Sequence, residues 1–302
     1  MVEGTVRTVS GLGFGALSRL YGCRVRILVT NDDGIQSEGL HVLAREMRHH
    51  GEVVVAAPDQ EFSGSGASLG ALNLIRPEIE QVSIAGIDES WSVTGPPALI
   101  VFLARFGALG DPFDLIVSGI NPGCNVGRAV YHSGTVGATL TGRNGGLSGV
   151  AVSQSAKFSI VGQAYQAELD DQKWQTAASV AGSVVAGLVT AMPTDPAIVN
   201  VNVPNVPLDE LKGWRRGAIE TALPGGVTTA TRTPKPERDG VFEVAFDWGD
   251  RNAELLPAGS DSRAVEDGYA AISWLSRITD EHRDDTNSVD VALDRLLGGH
   301  AD

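Results

Sequence analysis

The chain is predicted to fold as an α/β protein: a mostly parallel sheet with helices on both faces, carrying a C-terminal β-hairpin and helix appendage. Three observations predict it. Short runs rich in β-branched residues alternate with segments whose apolar residues recur at helical spacing. Polar loops rich in Gly, Ser and Asn follow three of those runs. Hydrophobic residues make up 42% and charged residues 20% of the 302 positions, so a full globular core can be buried.

In chain order, residues 25–30 (VRILVT) read as a first buried strand. Residues 39–49 place Leu40, Leu43, Ala44 and Met47 at helical spacing, and residues 53–57 form a second strand ended by Pro58. A Gly/Ser loop at 62–68 leads to an extended segment at 71–75. Thr94, Gly95 and Pro96 announce a helix over 97–109. Residues 115–118 are a strand, 136–145 a helix and 150–153 another strand. A long helix at 174–191 and a strand at 197–203 (AIVNVNV) complete the core.

After Pro204 the texture changes. Residues 225–239 are a polar Gly/Thr/Pro stretch, 241–248 a hairpin arm, 270–274 a strand and 289–297 a terminal helix. The expected division is therefore an N-terminal extension (1–23), a core (24–205) and a C-terminal extension (206–302).

The formal charge is −14. Gripping nucleic acid by its phosphates needs a basic face, so a polymeric nucleic acid partner is excluded while a small phosphate is not. Cys23 and Cys124 lie in no CxxC or Cys/His cluster, which argues against zinc and suits a reducing cytoplasm. Residues 1–23 carry Arg7 and Arg19, but Glu3 and the glycines breaking the 9–17 run spoil a signal peptide. The uncharged stretch 176–192 falls short of the roughly 20 apolar residues a spanning helix needs, so no membrane partner is expected.

The chemistry collects in three loops, each beyond the C-terminal end of a predicted strand: 31–34 (NDDG), 61–66 (EFSGSG) and 118–125 (SGINPGCN). Open α/β sheets bind ligands beyond those strand ends. Adjacent Asp32 and Asp33 repel unless something positive sits between them, and Gly34 gives the turn its backbone freedom. With Ser63 and Asn121 they make an all-oxygen set suited to Mg²⁺, Mn²⁺ or Ca²⁺. Singly, each residue reads as an ordinary turn former; together they read as a cation site. Ser133, Gly134 and Thr135 open the 136–145 helix, whose N-terminus suits a phosphate; Thr135 read alone is an N-cap.

The segments TNDDG, APDQEFSGSGAS, SGINPGCNVG and YHSGTVGA, in this order, resemble the signature segments of the SurE family of nucleotidases. The likeness runs from about Arg24 to Leu275 and is best before Ser153. It implies a Rossmann-like core and hydrolysis of nucleoside 5′- and 3′-monophosphates, with short polyphosphate secondary. It implies one divalent cation per subunit (Mg²⁺ or Mn²⁺) on Asp32, Asp33, Ser63 and Asn121. Asn125, Ser133, Gly134 and Thr135 are implied at the phosphate, and the catalytic set becomes Asp32, Asp33, Asn125, Ser133 and Thr135. A homodimer or homotetramer joined through C-terminal arms is implied as well. Three departures stand out: residues 1–23 precede the usual family start, no basic residue lies near Glu61 and Phe62, and residues 154–172 and 215–255 match poorly.

Rival readings fit less well. Ser68 sits in a G-x-S-x-G match, but about ten residues past its strand and before an extended segment, not in the strand-to-helix elbow a serine hydrolase needs. A dehalogenase-type phosphatase wants its second Asp two residues on, and no P-loop occurs. A non-catalytic nucleotide- or metal-binding module shares the same loops and is separated only by turnover. His132, beside Ser133, is a candidate proton donor to the leaving alkoxide, with a packing role as the plainer alternative.

Overall fold

Five neighbouring strands, buried on both faces along nearly their whole length, set the architecture. The structure is a computed structural model and describes residues 24–156, 169–220, 227–249, 256–279 and 287–297. The N-terminal extension, with its 9–17 run and Cys23, lies outside the described residues. Strands β1 (Arg26–Thr30), β2 (Glu52–Pro58), β5 (Leu115–Pro122), β6 (Ser148–Gln154) and β7 (Ile198–Val203) form the centre. Short strands β3 (Ile79–Gln81) and β4 (Glu89–Val93) lie on one side; β8 (Trp214–Arg216) and β11 (Ala270–Leu275) lie on the other.

Among the described residues these nine strands make one sheet in the order β3-β4-β2-β1-β5-β6-β7-β11-β8. Pairing is parallel except at β3–β4 and β11–β7. Ile27, Val29, Val55, Val117 and Val152 face one layer, against helices α1 (Glu38–Met47) and α4 (Trp174–Thr190). Leu28, Val54, Ala56 and Ile116 face the other, against α2 (Pro97–Arg105) and α3 (Gly134–Asn144). The period-2 alternation of β-structure splits each strand between two cores. On α1, Leu40, Leu43 and Met47 are fully buried, worth about 1.5–3 kcal/mol each by transfer from water.

The segment after Pro204 contributes in two ways. Strand β11 adds antiparallel to β7 and carries β8, preceded by the short helix α5 (Asp261–Glu266). Strands β9 (Val227–Pro234) and β10 (Phe242–Trp248) form a separate antiparallel pair, and α6 (Asn287–Leu297) closes the described chain.

The structure differs from expectation at particular elements. Residues 71–75 form a turn, with the Leu74 and Ile75 N–H groups donating to the Ala71 carbonyl, because no neighbouring strand offers them a partner. The polar stretch after 225 contains β9, whose exposed Thr-rich face needs only the facing arm β10. Strand β5 runs on to Pro122, with its pairing to β6 shifted between Ser118 and Asn121 and a cis peptide between Gly119 and Ile120.

Chain order is what positions the site. Strands β2 and β4 build outward on one side of β1, and β5, β6 and β7 on the other. The reversal at β1 puts the sheet's topological switch point beyond the C-terminal ends of β1, β2 and β5, the place where α/β sheets bind ligands.

Candidate functional site

The loop after β1 is fixed by its own side chain before anything else reaches it. Asn31 Oδ1 accepts the Gly34 N–H at 3.2 Å, and its Nδ2 donates to the Gly34 carbonyl at 3.1 Å. Gly34 takes φ +101°, a conformation that costs a side-chain-bearing residue steric strain. The turn thereby presents Asp32 and Asp33.

Asp32 is buried against the N-terminus of α3. Its Oδ1 accepts the Thr135 hydroxyl at 2.5 Å and its Oδ2 accepts the Gly134 N–H at 3.2 Å. Ser133 caps the same helix, its Oγ accepting the Val136 N–H at 3.1 Å. This N-terminus therefore already faces an anion, the carboxylate of Asp32, in the geometry that favours one. Even so, burial pushes the Asp32 carboxyl above its ordinary range, outweighing the Thr135 hydroxyl and the backbone donors.

Asp33 is less well served. Its Oδ2 is out of contact with solvent and has no hydrogen-bond partner among the described residues. Burial, then the charges of Asp32 and Glu61, push its carboxyl well above the ordinary range. Two adjacent carboxylates held with one orphaned oxygen form a site charged at a cost, which a cation would repay.

The loop after β2 comes to the same place. The Phe62 N–H donates to the Asp32 carbonyl at 2.8 Å, and the Gly66 N–H donates to the His132 carbonyl at 3.0 Å. A Cβ on Gly137 would collide with the Gly66 carbonyl, so α3 and this loop meet as closely as backbones allow. Ser63 is exposed and donates to Glu61 Oε1 at 2.7 Å. From the third loop, Asn121 Nδ2 donates to the Gly123 carbonyl at 2.6 Å.

Asn125 is buried and clamped on three sides. Its N–H donates to Asn202 Oδ1 at 2.8 Å, its Nδ2 to Ser153 Oγ at 2.9 Å, and its carbonyl accepts from Asn200 and Asn202 at 2.8 and 3.2 Å. His132 is exposed at the end of the 3₁₀ turn Gly127–Tyr131. Ser68 is exposed and has no histidine partner among the described residues, so no nucleophilic triad forms around it.

Direct bonds thus join Asp32 to Thr135 and Gly134, and the loop after β2 to both Asp32 and His132. Ser63 and Asn121 bond within their own loops. Four further residues belong to this arrangement without a local pattern that points to them: Glu61, which adds a third negative charge beside Asp33, and Ser153, Asn200 and Asn202, which hold Asn125. Only the two asparagines leave a trace, the alternation NVNV in β7, which puts both on one face.

The donor chemistry fits a hard divalent cation. Carboxylate, hydroxyl and amide oxygens are the ligands Mg²⁺ and Mn²⁺ prefer, and Asp33 Oδ2 lacks any other partner. Among the described residues no group of three or more His, Cys, Asp or Glu could hold a metal. Carboxylates alone would therefore not suffice, and hydroxyl and amide ligands would be needed. No described helix is long and apolar enough to cross a membrane.

Comparison with known proteins gives this arrangement a lineage. Residues 27–223 match the family model described as Survival protein SurE. A curated relative from Haemophilus influenzae (strain PittGG), named 5′-nucleotidase SurE, is 35% identical over 252 residues, covering 82% of this chain and 90% of its own length. A relative of the same name from Mannheimia succiniciproducens is 34% identical over 251 residues, covering 82% and 91%. The crystal structure of SurE protein from Aquifex aeolicus superposes with a TM-score of 0.68 at 25% identity, covering 90% of this chain and 99% of that one. The four motif segments fall inside the matched span, and this chain belongs to the SurE family.

Proposed function

We propose that this chain hydrolyses nucleoside 5′- and 3′-monophosphates to nucleoside and inorganic phosphate. One Mg²⁺ or Mn²⁺ per subunit would be held by Asp32, Asp33, Ser63 and Asn121. The observation that carries the reading is the orphaned, buried oxygen of Asp33 beside a second carboxylate at the sheet's switch point. Membership of a family whose curated relatives are named 5′-nucleotidases supports the substrate class.

When bound, the cation supplies charge neutralisation for the phosphoryl group and acidifies water. The remaining work falls to the chain. Asp32, locked by Thr135 and Gly134, fixes one edge of the site, while Asp33 orients the attacking water. Water oxygen bonds to phosphorus, the bond from phosphorus to the nucleoside oxygen breaks, and the water proton ends on the departing alkoxide. His132, exposed beside Ser133, is the candidate to deliver it. Ser133, Gly134 and Thr135 at the helix N-terminus, together with Asn125, would brace the non-bridging oxygens, the Gly134 N–H and Thr135 hydroxyl being shared between Asp32 and the phosphate.

We infer further that the chain acts in the cytoplasm as a homodimer or homotetramer through its C-terminal arm. Phe242, Val244 and Phe246 are exposed on the separate β9–β10 pair, which supports a partner surface there. Light scattering at micromolar concentration should exceed the 31.6 kDa of one chain, and a monomer refutes the arm's role.

Phosphate release decides between enzyme and binding module. AMP, GMP, CMP, UMP, 3′-AMP, sugar phosphates and short polyphosphate should be assayed with Mn²⁺ and after exhaustive chelation. Nucleotides should turn over fastest, polyphosphate more slowly, and chelation should abolish release. Full activity without metal sinks the cation reading; faster sugar-phosphate turnover overturns the substrate class. His132→Gln should lower kcat and flatten the pH profile, and an unchanged profile removes His132 from the chemistry.

A further inference from the structure

Asp261 is fully buried and belongs to none of the three loops at the switch point. It opens α5, next to the capping Ser260. Its carboxylate joins distant parts of the chain. Oδ2 accepts the Gly127 N–H at 2.8 Å. Oδ1 accepts the Ser262 N–H at 2.8 Å and the Glu220 N–H at 3.3 Å.

Gly127 is where the 3₁₀ turn Gly127–Tyr131 begins, and that turn runs directly into His132, Ser133 and α3. At its far end the His132 carbonyl accepts from Gly66, and the Ser133 N–H donates to the Ala129 carbonyl at 3.2 Å. The turn is therefore held at its end by the loop after β2 and at its start by a carboxylate from the C-terminal segment. The same carboxylate sits beside the Ala218–Ser260 bridge, where the chain leaves for the hairpin and returns from it.

A carboxylate suits this junction for a definite reason. It accepts on two oxygens at once, whereas an amide offers one acceptor and turns a donor toward the other side. Burying that charge is costly, and three N–H groups offset part of the cost. Burial nevertheless holds the Asp261 carboxyl above its ordinary range, despite the donors from Gly127, Ser262 and Glu220.

We propose that Asp261 is a positioning residue: by holding Gly127 it sets where residues 132–135 stand relative to Asp32, and hence how the substrate phosphate is braced. This rests on the reading that phosphate lies at Ser133, Gly134 and Thr135.

The test compares Asp261→Asn with Ser260→Ala, which removes the α5 cap yet leaves the Gly127 bond in place. Each variant is assayed for AMP hydrolysis with Mn²⁺, inhibition by inorganic phosphate, Mn²⁺ concentration at half-activation, and Tm. Asp261→Asn should lower kcat about 10-fold and weaken phosphate inhibition about 10-fold, the scale of one lost charge-assisted hydrogen bond. Its Mn²⁺ half-activation should stay within about two-fold, because Asp32 and Asp33 are untouched. Ser260→Ala should lower Tm while keeping kcat and phosphate inhibition within about two-fold. Equal losses in both variants, or neither constant moving in Asp261→Asn, overturn the proposal. If Asp261→Asn fails to fold, hydrogen exchange of the unsubstituted protein decides. Inorganic phosphate with Mn²⁺ should slow exchange in residues 127–135 and 256–262 together. Protection of 127–135 alone overturns the positioning role; protection of neither overturns the phosphate site beneath it.

Discussion

The loops after β1 and β2 meet at one sheet edge, joined by the bond from Phe62 to the Asp32 carbonyl, yet they are held in opposite ways. The first is closed on itself by Asn31, buried, and locked to a helix N-terminus through Asp32. The second is largely exposed, and its Ser63 is bonded to Glu61 at the surface. A buried carboxylate beside a second one with a buried oxygen must be rigidly placed, because relaxation would carry them to water. A hydroxyl at the surface exchanges partners at little cost. Substitutions in the first loop should therefore change both chemistry and stability, each in its own direction, and those in the second should change metal affinity alone.

The largest effect is expected at Asp33. Asp33→Asn should lower kcat with Mn²⁺ by at least about 10²-fold, on the scale of removing one preorganised electrostatic group. In metal-free protein near neutral pH the same change should raise Tm by about 2 °C or more, since it removes one of two like charges from a buried, underbonded position. Activity and stability then move in opposite directions, and a lower Tm in the metal-free variant would break the comparison at its strongest point.

Thr135→Val comes next. It deletes the hydroxyl that donates to Asp32 Oδ1, with the carboxylate still buried. Chemical denaturation should show a loss of about 1.5–3 kcal/mol, and phosphate release should fall about 10-fold. Ser63→Ala should leave Tm unchanged and raise the Mn²⁺ needed for half-activation about three-fold, because only an exposed hydroxyl is lost. A Tm drop for Ser63→Ala matching that of Thr135→Val would mean the two loops are equally integral.

The same contrast explains what the chain discloses before folding. Strands β1, β2, β5, β6 and β7 announce themselves because each is buried on both faces and carries a short Val/Ile/Leu/Ala-rich stretch, interrupted in β7 by two asparagines. Strands β3 and β4 do not, being short, partly exposed and bounded by pairing partners that sequence does not reveal. Likewise the aspartate pair and the small-residue start of α3 are visible as local patterns. That Thr135 donates to Asp32, 103 positions away, and Asp261 accepts from Gly127, 134 positions away, is a property of the sheet order alone. Buried acceptors of backbone N–H groups have no local pattern, because the donor is present in almost every residue.

The smallest effect is expected at α5, where two aspartates at opposite ends carry opposite shifts. Asp267 is half-buried, and the hydrogen bond from Arg263 holds its carboxyl below the ordinary range, with Arg215 adding to it. A carboxyl whose folded pKa is depressed stabilises the fold above its unfolded value near 3.8 and loses that contribution as pH falls through the folded value. Asp261 behaves inversely. Its folded pKa is raised, so the penalty for its charge is full above that value and is relieved as pH falls through it toward the unfolded one. Thermal unfolding of the unsubstituted protein against Asp267→Asn should show a small Tm advantage at neutral pH that shrinks below about pH 4 and also shrinks in high salt. Against Asp261→Asn the unsubstituted protein should instead gain as pH falls. An advantage over Asp267→Asn that grows on acidification would show that the arginine pair does not set this carboxyl, and with it would go the distinction between a charge held by partners and a charge held by burial.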